Sequence, residues 1–206
     1  MSKPDPMQHG QYYHIYNRGN NGEGLFREQR NYLYFLNLYA RYIEPVAETY
    51  AYCLMSNHFH LLVRIKDEER QSSEDCCSYE ASRAFANLFS TYTKAFNKAY
   101  QRTGSLFEKP FRRNLVDSDR YFTYLVVYIH RNPQRHGLVR DFRAWPHSSY
   151  QGILSNRPSR IQRAAVLDWF DNRAGFERCI IRPIPTSDSR ACHPLVPMAR
   201  RPLMRV

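Results

Sequence analysis

The chain has 206 residues, of which 43% are hydrophobic and 24% charged, the composition of an ordinary folded domain rather than of a disordered, collagen-like or membrane-spanning chain. A domain of this length buries roughly 70% of the surface its unfolded form exposes. The five cysteines (Cys53, Cys76, Cys77, Cys179 and Cys192), odd in number and without a CxxC pair, suggest neither a disulfide framework nor a thiolate zinc site.

The formal net charge is +11, yet residues 67–82 carry six acids against one arginine, which leaves the remainder at +16. Twenty-five of the 30 basic residues are arginine, whose planar fork binds phosphate in bidentate fashion and stacks on bases. Nucleic acid is the expected partner, against the blander reading that arginine enrichment reflects codon usage. The N-terminus MSKPDPMQHGQ has no apolar core of the signal-peptide type, and no stretch approaches the ~18 to 20 apolar residues of a transmembrane helix. A cytoplasmic, nucleoid-associated protein with no membrane partner is expected.

In chain order, QYYHIYNR (11–18) is β-prone and ends in the loop GNNGEG. A helix follows, in which Tyr32, Leu33, Phe35, Leu36, Tyr39, Ala40 and Ile43 recur with helical period before Pro45. TYAYCLM (49–55) and HFHLLVRI (58–65), separated by Ser56 and Asn57, read as a hairpin. After an acidic loop over 67–82, Phe85, Leu88, Phe89, Tyr92, Ala95, Phe96, Ala99 and Tyr100 form the apolar face of a second helix. SLFEKPFRRNLV (105–116) reads as a final strand in which Pro110 permits only an edge or bulged position.

The order β, α, β, β, α, β is that of a ferredoxin-like α+β fold, an antiparallel sheet with two helices on one face, its third strand internal and its fourth at an edge. An additional helix, SDRYFTYLVVYIH, starts at a cap on Asp117 or Ser118 and is expected to end at Arg131 or Asn132, where Pro133 interrupts it. The chain divides into a catalytic domain (1–152), a short helical extension (153–181) containing the amphipathic AAVLDWF, and a basic, proline-rich tail (182–206) expected to be loosely ordered.

Strand alternation puts His58, His60 and Leu62 on one face and Phe59, Leu61 and Val63 on the other. Two imidazoles two residues apart can converge on one cation, or can be ordinary hydrogen-bonded sheet histidines. Tyr121, Tyr124, Tyr128 and Asn132 form a stripe on the additional helix. A carboxamide oxygen is a reasonable ligand for Mg²⁺ or Mn²⁺, and a phenol beside such a cation is a possible nucleophile toward a phosphodiester. The bland alternatives are core tyrosines and an asparagine cap before Pro133.

The segments AYCLMSNHFHLLVRI, RYFTYLVVYIHRNPQRHGLV and WPHSSY together resemble the single-tyrosine HUH transposases of small insertion sequences and their REP-associated tyrosine transposase relatives, over about residues 11–152. The resemblance implies that His58 and His60 bind a divalent metal, Mg²⁺ or Mn²⁺, with Asn132 as the third ligand. It also implies that Tyr128 attacks a phosphodiester of single-stranded DNA beside a hairpin, giving a covalent 5′-phosphotyrosine and a free 3′-hydroxyl. No nucleotide cofactor is implied, because the tyrosyl ester conserves the energy of the broken bond. The expected activity is DNA endonuclease and strand transferase, as a monomer or homodimer. The rival is a catalytically silent DNA- or RNA-hairpin-binding protein or repressor. Arg18, Lys94, Lys98, Lys109, Arg112, Arg113, Arg131 and Arg135 are candidate DNA contacts. His14, His130 and His136 are secondary candidates, each also readable as a packed or helix-end histidine.

Overall fold

Two apolar faces of one sheet organise the structure. The computed structural model describes residues 6–67 and 74–182, the side chains of 74–79 excepted, so most of the proline-rich tail lies outside the described residues. β1 (Tyr12–Arg18), α1 (Gln29–Tyr42), β2 (Ala47–Met55), β3 (His58–Ile65), α2 (Glu74–Ala99), β4 (Arg112–Val116) and α3 (Asp119–Arg135) follow in the expected order. The strands pair antiparallel in the order β2-β3-β1-β4. This is the ferredoxin-like α+β arrangement, with β3 internal and β4 at an edge.

Alternation along each strand sorts the side chains onto the two faces. Ile15, Leu54, Phe59, Leu61 and Val63 point to α1 and α2, where they pack with Phe35, Leu38, Phe85, Leu88 and Tyr92. Within α1 the buried stripe is Tyr32, Phe35, Leu38 and Tyr39, whereas Leu33, expected on the apolar face, is 55% exposed. The opposite face, carrying Ala51, Cys53, Met55 and Leu62, is covered by Phe122, Leu125, Val126 and Ile129 of α3. Three short helices, α4 (Tyr150–Leu154), α5 (Arg163–Trp169) and α6 (Arg173–Ile181), add Ile153, Val166, Phe176 and Ile180 to that second core.

The free side of β2 is not left bare. Leu54 N–H donates to the His147 carbonyl at 2.9 Å, Ser149 N–H to Tyr52 at 2.9 Å and Gln162 N–H to Thr49 at 2.8 Å, which satisfies edge groups that would otherwise invite strand pairing. No helix among the described residues is long and apolar enough to cross a membrane.

Three boundaries differ from the expectation. Strand β4 begins at Arg112, so Pro110, which cannot donate to a ladder, precedes the strand instead of sitting in it. Helix α2 begins at Glu74, so the second half of the acidic segment 67–82 is helix rather than loop. Helix α3 runs through Pro133 to Arg135. A proline there removes one N–H and one intrahelical bond, and that loss is confined to the last turn. The end is then closed by Leu138 N–H to the Pro133 carbonyl (2.9 Å) and Gly137 N–H to the Gln134 carbonyl (3.1 Å). Gly137 takes φ +68°, the left-handed conformation such a helix end requires.

The turn after β1 is equally demanding. A Cβ on Gly19 would lie 2.0 Å from the Glu23 carbonyl oxygen, a clash with backbone that cannot swing aside. Gly19→Ala is expected to cost roughly 1–3 kcal/mol, lowering Tm by about 2–10 °C. An unchanged thermal melt would show that the loop repacks freely.

Candidate active site

The exposed end of the α3-facing side of the sheet gathers four imidazoles and a phenol. His14 on β1 and His58 and His60 on β3 come together because β1 pairs with β3, with Tyr16 opposite His60 and Arg18 opposite His58. His14 Nε2 and His60 Nδ1 share a buried hydrogen bond of 2.9 Å. His58 Nδ1 donates to Asn57 Oδ1 at 2.7 Å. In the tautomer where His60 also donates from Nδ1, both β3 imidazoles keep their Nε2 lone pairs for an electrophile. Their rings lie 5.4 Å apart and perpendicular.

Tyr128 of α3 meets this pair edge-on, its ring centroid 5.4 Å from His60 and 6.3 Å from His14. Among the described ring contacts it is the α3 tyrosine that reaches the imidazoles. Tyr124 stacks on Tyr128 at 5.8 Å and Tyr121 on Tyr124 at 6.5 Å. The Arg135 guanidinium carbon sits 5.1 Å from the Tyr128 ring centroid. A cleft of about 1010 Å³ runs along this helix face, lined by His14, Tyr16, His60, Tyr121, Tyr124, Tyr128 and Arg135 among others. A second cleft of about 510 Å³ lies toward Arg18, His58, Arg112 and His136. Tyr16 and His60 line both, so the two clefts share a wall at the imidazoles.

Burial keeps these rings neutral. Desolvation brings His14 down to about 4, and desolvation, then the neighbouring His136 and Arg18 charges, bring His58 to about 4. His60 is held well below its ordinary value by burial and by the His14, His58 and His136 rings. Neutral imidazoles are what a cation site needs.

His130 is different in kind. It is fully buried, with Nδ1 on the Val126 carbonyl and Nε2 on Ser149 Oγ, both at 2.7 Å, and burial lowers it from 6.5 to about 4. It is a core residue bridging α3 to α4's N-cap. Its lowered value makes the unfolded state the better proton binder, so its contribution to stability is intact above pH 6.5 and declines as pH falls toward about 4. The loss over that interval is about 3 kcal/mol. Thermal melts across the acid range should show this limb, to which the lowered His14, His58 and His60 also contribute, and His130→Gln should make it shallower by the share of one group. An equally steep limb in the variant would mean that other groups carry the dependence.

Asn132 is 1% exposed, and its Nδ2 is a buried atom with no hydrogen-bond partner. It lines neither cleft. Amide oxygen and nitrogen are distinguished only by their partners, and with the amide reversed the end without a partner is an oxygen, a donor that suits a hard cation. The donor chemistry of two neutral imidazoles and one unsatisfied amide suits a divalent ion, although no described contact joins Asn132 to His58 or His60. Among the described residues there is no cluster of three or more histidine, cysteine, aspartate or glutamate side chains arranged to hold a metal, so any such site depends on the amide, on solvent or on substrate oxygens.

The basic residues divide. Arg18 and Arg112 line the smaller cleft, both near Glu108 (3.4 and 4.0 Å), and Arg135 lines the larger. The other five are placed elsewhere. Lys94 and Lys109 line a third groove, between α2 and the segment before β4, which meets the smaller cleft at Asn17 and Glu108. Arg113 alternates to the other face of β4, bonding Ser82 and lying 5.4 Å from the Phe111 ring. Arg131 donates to the Arg182 carbonyl. Lys98 lies in the last turn of α2 and lines none of these clefts.

His136, only a secondary candidate from the sequence, has its ring 4.8 Å from His58. It falls eight positions after Tyr128, on the same stripe as Tyr128 and Asn132. Ending the helix at Pro133 hid that register. His14 was visible as an alternate residue of β1, but only the β1–β3 pairing makes it a partner of His60.

No protein-family model matches the chain. Over 105 residues, half of this chain and 58% of the other, it is 27% identical to a Haemophilus influenzae protein that carries the name REP-associated tyrosine transposase. The chain thus matches less than two thirds of that relative's length. The fold superimposes on a solved REP-associated tyrosine transposase bound to a REP hairpin, with a TM-score of 0.57 and 17% identity over 77% of this chain and 88% of that one.

Proposed function

We propose that this chain, a relative of the REP-associated tyrosine transposases, is a metal-dependent single-stranded-DNA endonuclease and strand transferase that cleaves beside hairpins with Tyr128 as nucleophile. The observation that carries the reading is the meeting of Tyr128, on α3, with the His14–His60 pair on the sheet. The hairpin as substrate is taken from the relative solved with one.

A phenol of pKa about 10 is mostly protonated at neutral pH, so it needs help to ionise and a nearby positive charge to approach a phosphate. His58 and His60, with Asn132, would hold Mg²⁺ or Mn²⁺. Bound there, the ion supplies charge neutralisation for the phosphate and lowers the cost of phenolate formation. The chain's own residues do the rest. Helix α3 places Tyr128 in the wall of the cleft of about 1010 Å³. Arg135, over the Tyr128 ring, and Arg18 and Arg112, in the adjoining cleft, are placed to take phosphate oxygens. The Tyr128 oxygen forms a bond to phosphorus as the bond to the 3′-oxygen breaks. The phenolic proton passes to solvent, and the departing 3′-oxygen takes up a proton. One phosphodiester replaces another, so no nucleotide cofactor is consumed, and reversal onto a second 3′-hydroxyl completes strand transfer.

The direct test incubates the purified chain with a hairpin-bearing single strand and Mg²⁺ or Mn²⁺. A denaturant-stable protein–DNA adduct, absent with EDTA, is the expected outcome. Tight hairpin binding without any adduct or cleavage would favour the silent binding protein instead.

His14 makes a subsidiary expectation. Its removal in His14→Ala leaves the buried His60 Nδ1 without a partner, which should weaken Mn²⁺ binding by about 10–100-fold, read by calorimetry on the DNA-free protein. His14→Gln, which keeps an acceptor, should recover part of the loss. Equal Mn²⁺ affinity in wild type and His14→Ala would remove His14 from the site.

A further inference from the structure

A second feature of the same cleft extends beyond the proposed nucleophile. Tyr121, Tyr124 and Tyr128 form a stair of near-parallel rings, 20° and 22° between successive planes, at centroid spacings of 6.5 and 5.8 Å. The opposite side of α3 supplies Phe122, Leu125, Val126 and Ile129 to the core, and the three tyrosines pack only against its edge. All three tyrosines are half-buried and line the about 1010 Å³ cleft. Two arginines, Arg120 and Arg135, line the same cleft, with Asp117 as the acid among its lining. That volume is at the top of the range of about 300–1,000 Å³ typical for a drug-sized ligand, enough for more than one nucleotide.

We propose that Tyr121 and Tyr124 are a stacking platform for unpaired nucleobases that leads a single strand to Tyr128. This deepens the proposed function and rests on it for the position of the scissile phosphate. Flat aromatic faces in series with flanking guanidinium groups suit bases and backbone at once, and every base has a face to stack, so the platform is tolerant of sequence. A duplex buries its base faces against one another and cannot use such a stair. The occupant is therefore single-stranded nucleic acid, with its bases laid along α3.

The test uses the full chain carrying Tyr128→Phe, in EDTA, so that neither cleavage nor metal enters the readout. Binding of labelled oligothymidylate is compared with that of an abasic strand of equal length. The expected result is at least about ten-fold tighter binding of the thymidylate strand. Adding Tyr121→Leu and Tyr124→Leu should close that gap while leaving abasic-strand affinity and the thermal melt little changed. The corresponding Phe substitutions should preserve it. A gap that survives in the Leu variant, equal affinity of the starting chain for both strands, or equally tight binding of a blunt duplex would overturn the platform. Failure of the adduct assay would leave this binding result standing, and failure of the platform would leave Tyr128 chemistry intact.

Discussion

Tyr128→Phe is expected to abolish strand cleavage and adduct formation, with a loss of at least about 1,000-fold, because the missing oxygen is the atom proposed to bond phosphorus and no neighbouring group stands in its place. The ring that touches His60, His14, Tyr124 and Arg135 is retained, so stability should change by less than about 1 kcal/mol and hairpin affinity should hold. Single-turnover cleavage of a labelled hairpin strand, beside a thermal melt, separates these quantities. Tyr124→Phe is the matched control. It deletes the same oxygen one turn earlier and should leave the cleavage rate within a few-fold of wild type. Loss of cleavage in Tyr124→Phe with activity retained in Tyr128→Phe would move the nucleophile up the helix.

The second large effect concerns the β3 imidazoles. His58→Ala and His60→Ala should each reduce metal-dependent cleavage by at least about 100-fold and abolish Mn²⁺ binding measured without DNA, since each removes one of the two proposed nitrogen ligands. His60→Ala also leaves His14 without its buried partner, so some fall in Tm is expected there. The Mn²⁺ titration distinguishes a lost ligand from a loosened fold. His136 is exposed and touches His58 from the solvent side; His136→Ala should cost no more than about ten-fold. Full activity of His58→Ala in Mn²⁺ would show that the pair is not the metal site.

The parts legible in the sequence are those decided by local periodicity. Alternation in HFHLLVRI sorts His58 and His60 away from Phe59 and Leu61, and the two faces of the sheet confirm that sorting. The order of elements and the edge position of β4 follow from the same patterns. What local pattern could not supply was set by tertiary packing. Pro133 reads as a terminator, yet a buried last turn with its own closing bonds carries the helix onward, and His136 enters the site with it. Lys94, Lys109, Arg113 and Arg131 carry the right charge for DNA, but charge has no period. Only the packing of α2, β4 and α6 shows that they face other surfaces. The choice of Tyr128 over Tyr121 and Tyr124 was likewise open from spacing, because all three share one stripe. Of the three, Tyr128 is the one whose ring meets His60 and His14 among the described contacts.

The most direct measurement is to trap the covalent complex on a hairpin-bearing single strand in Mn²⁺, digest it, and locate the nucleotide-modified peptide by mass spectrometry. The account predicts one modified residue, Tyr128, joined through phosphate to the 5′ end of the cleaved strand. Modification at Tyr121, Tyr124 or a residue remote from His58 and His60, or cleavage with no protein-linked nucleotide at all, would contradict it.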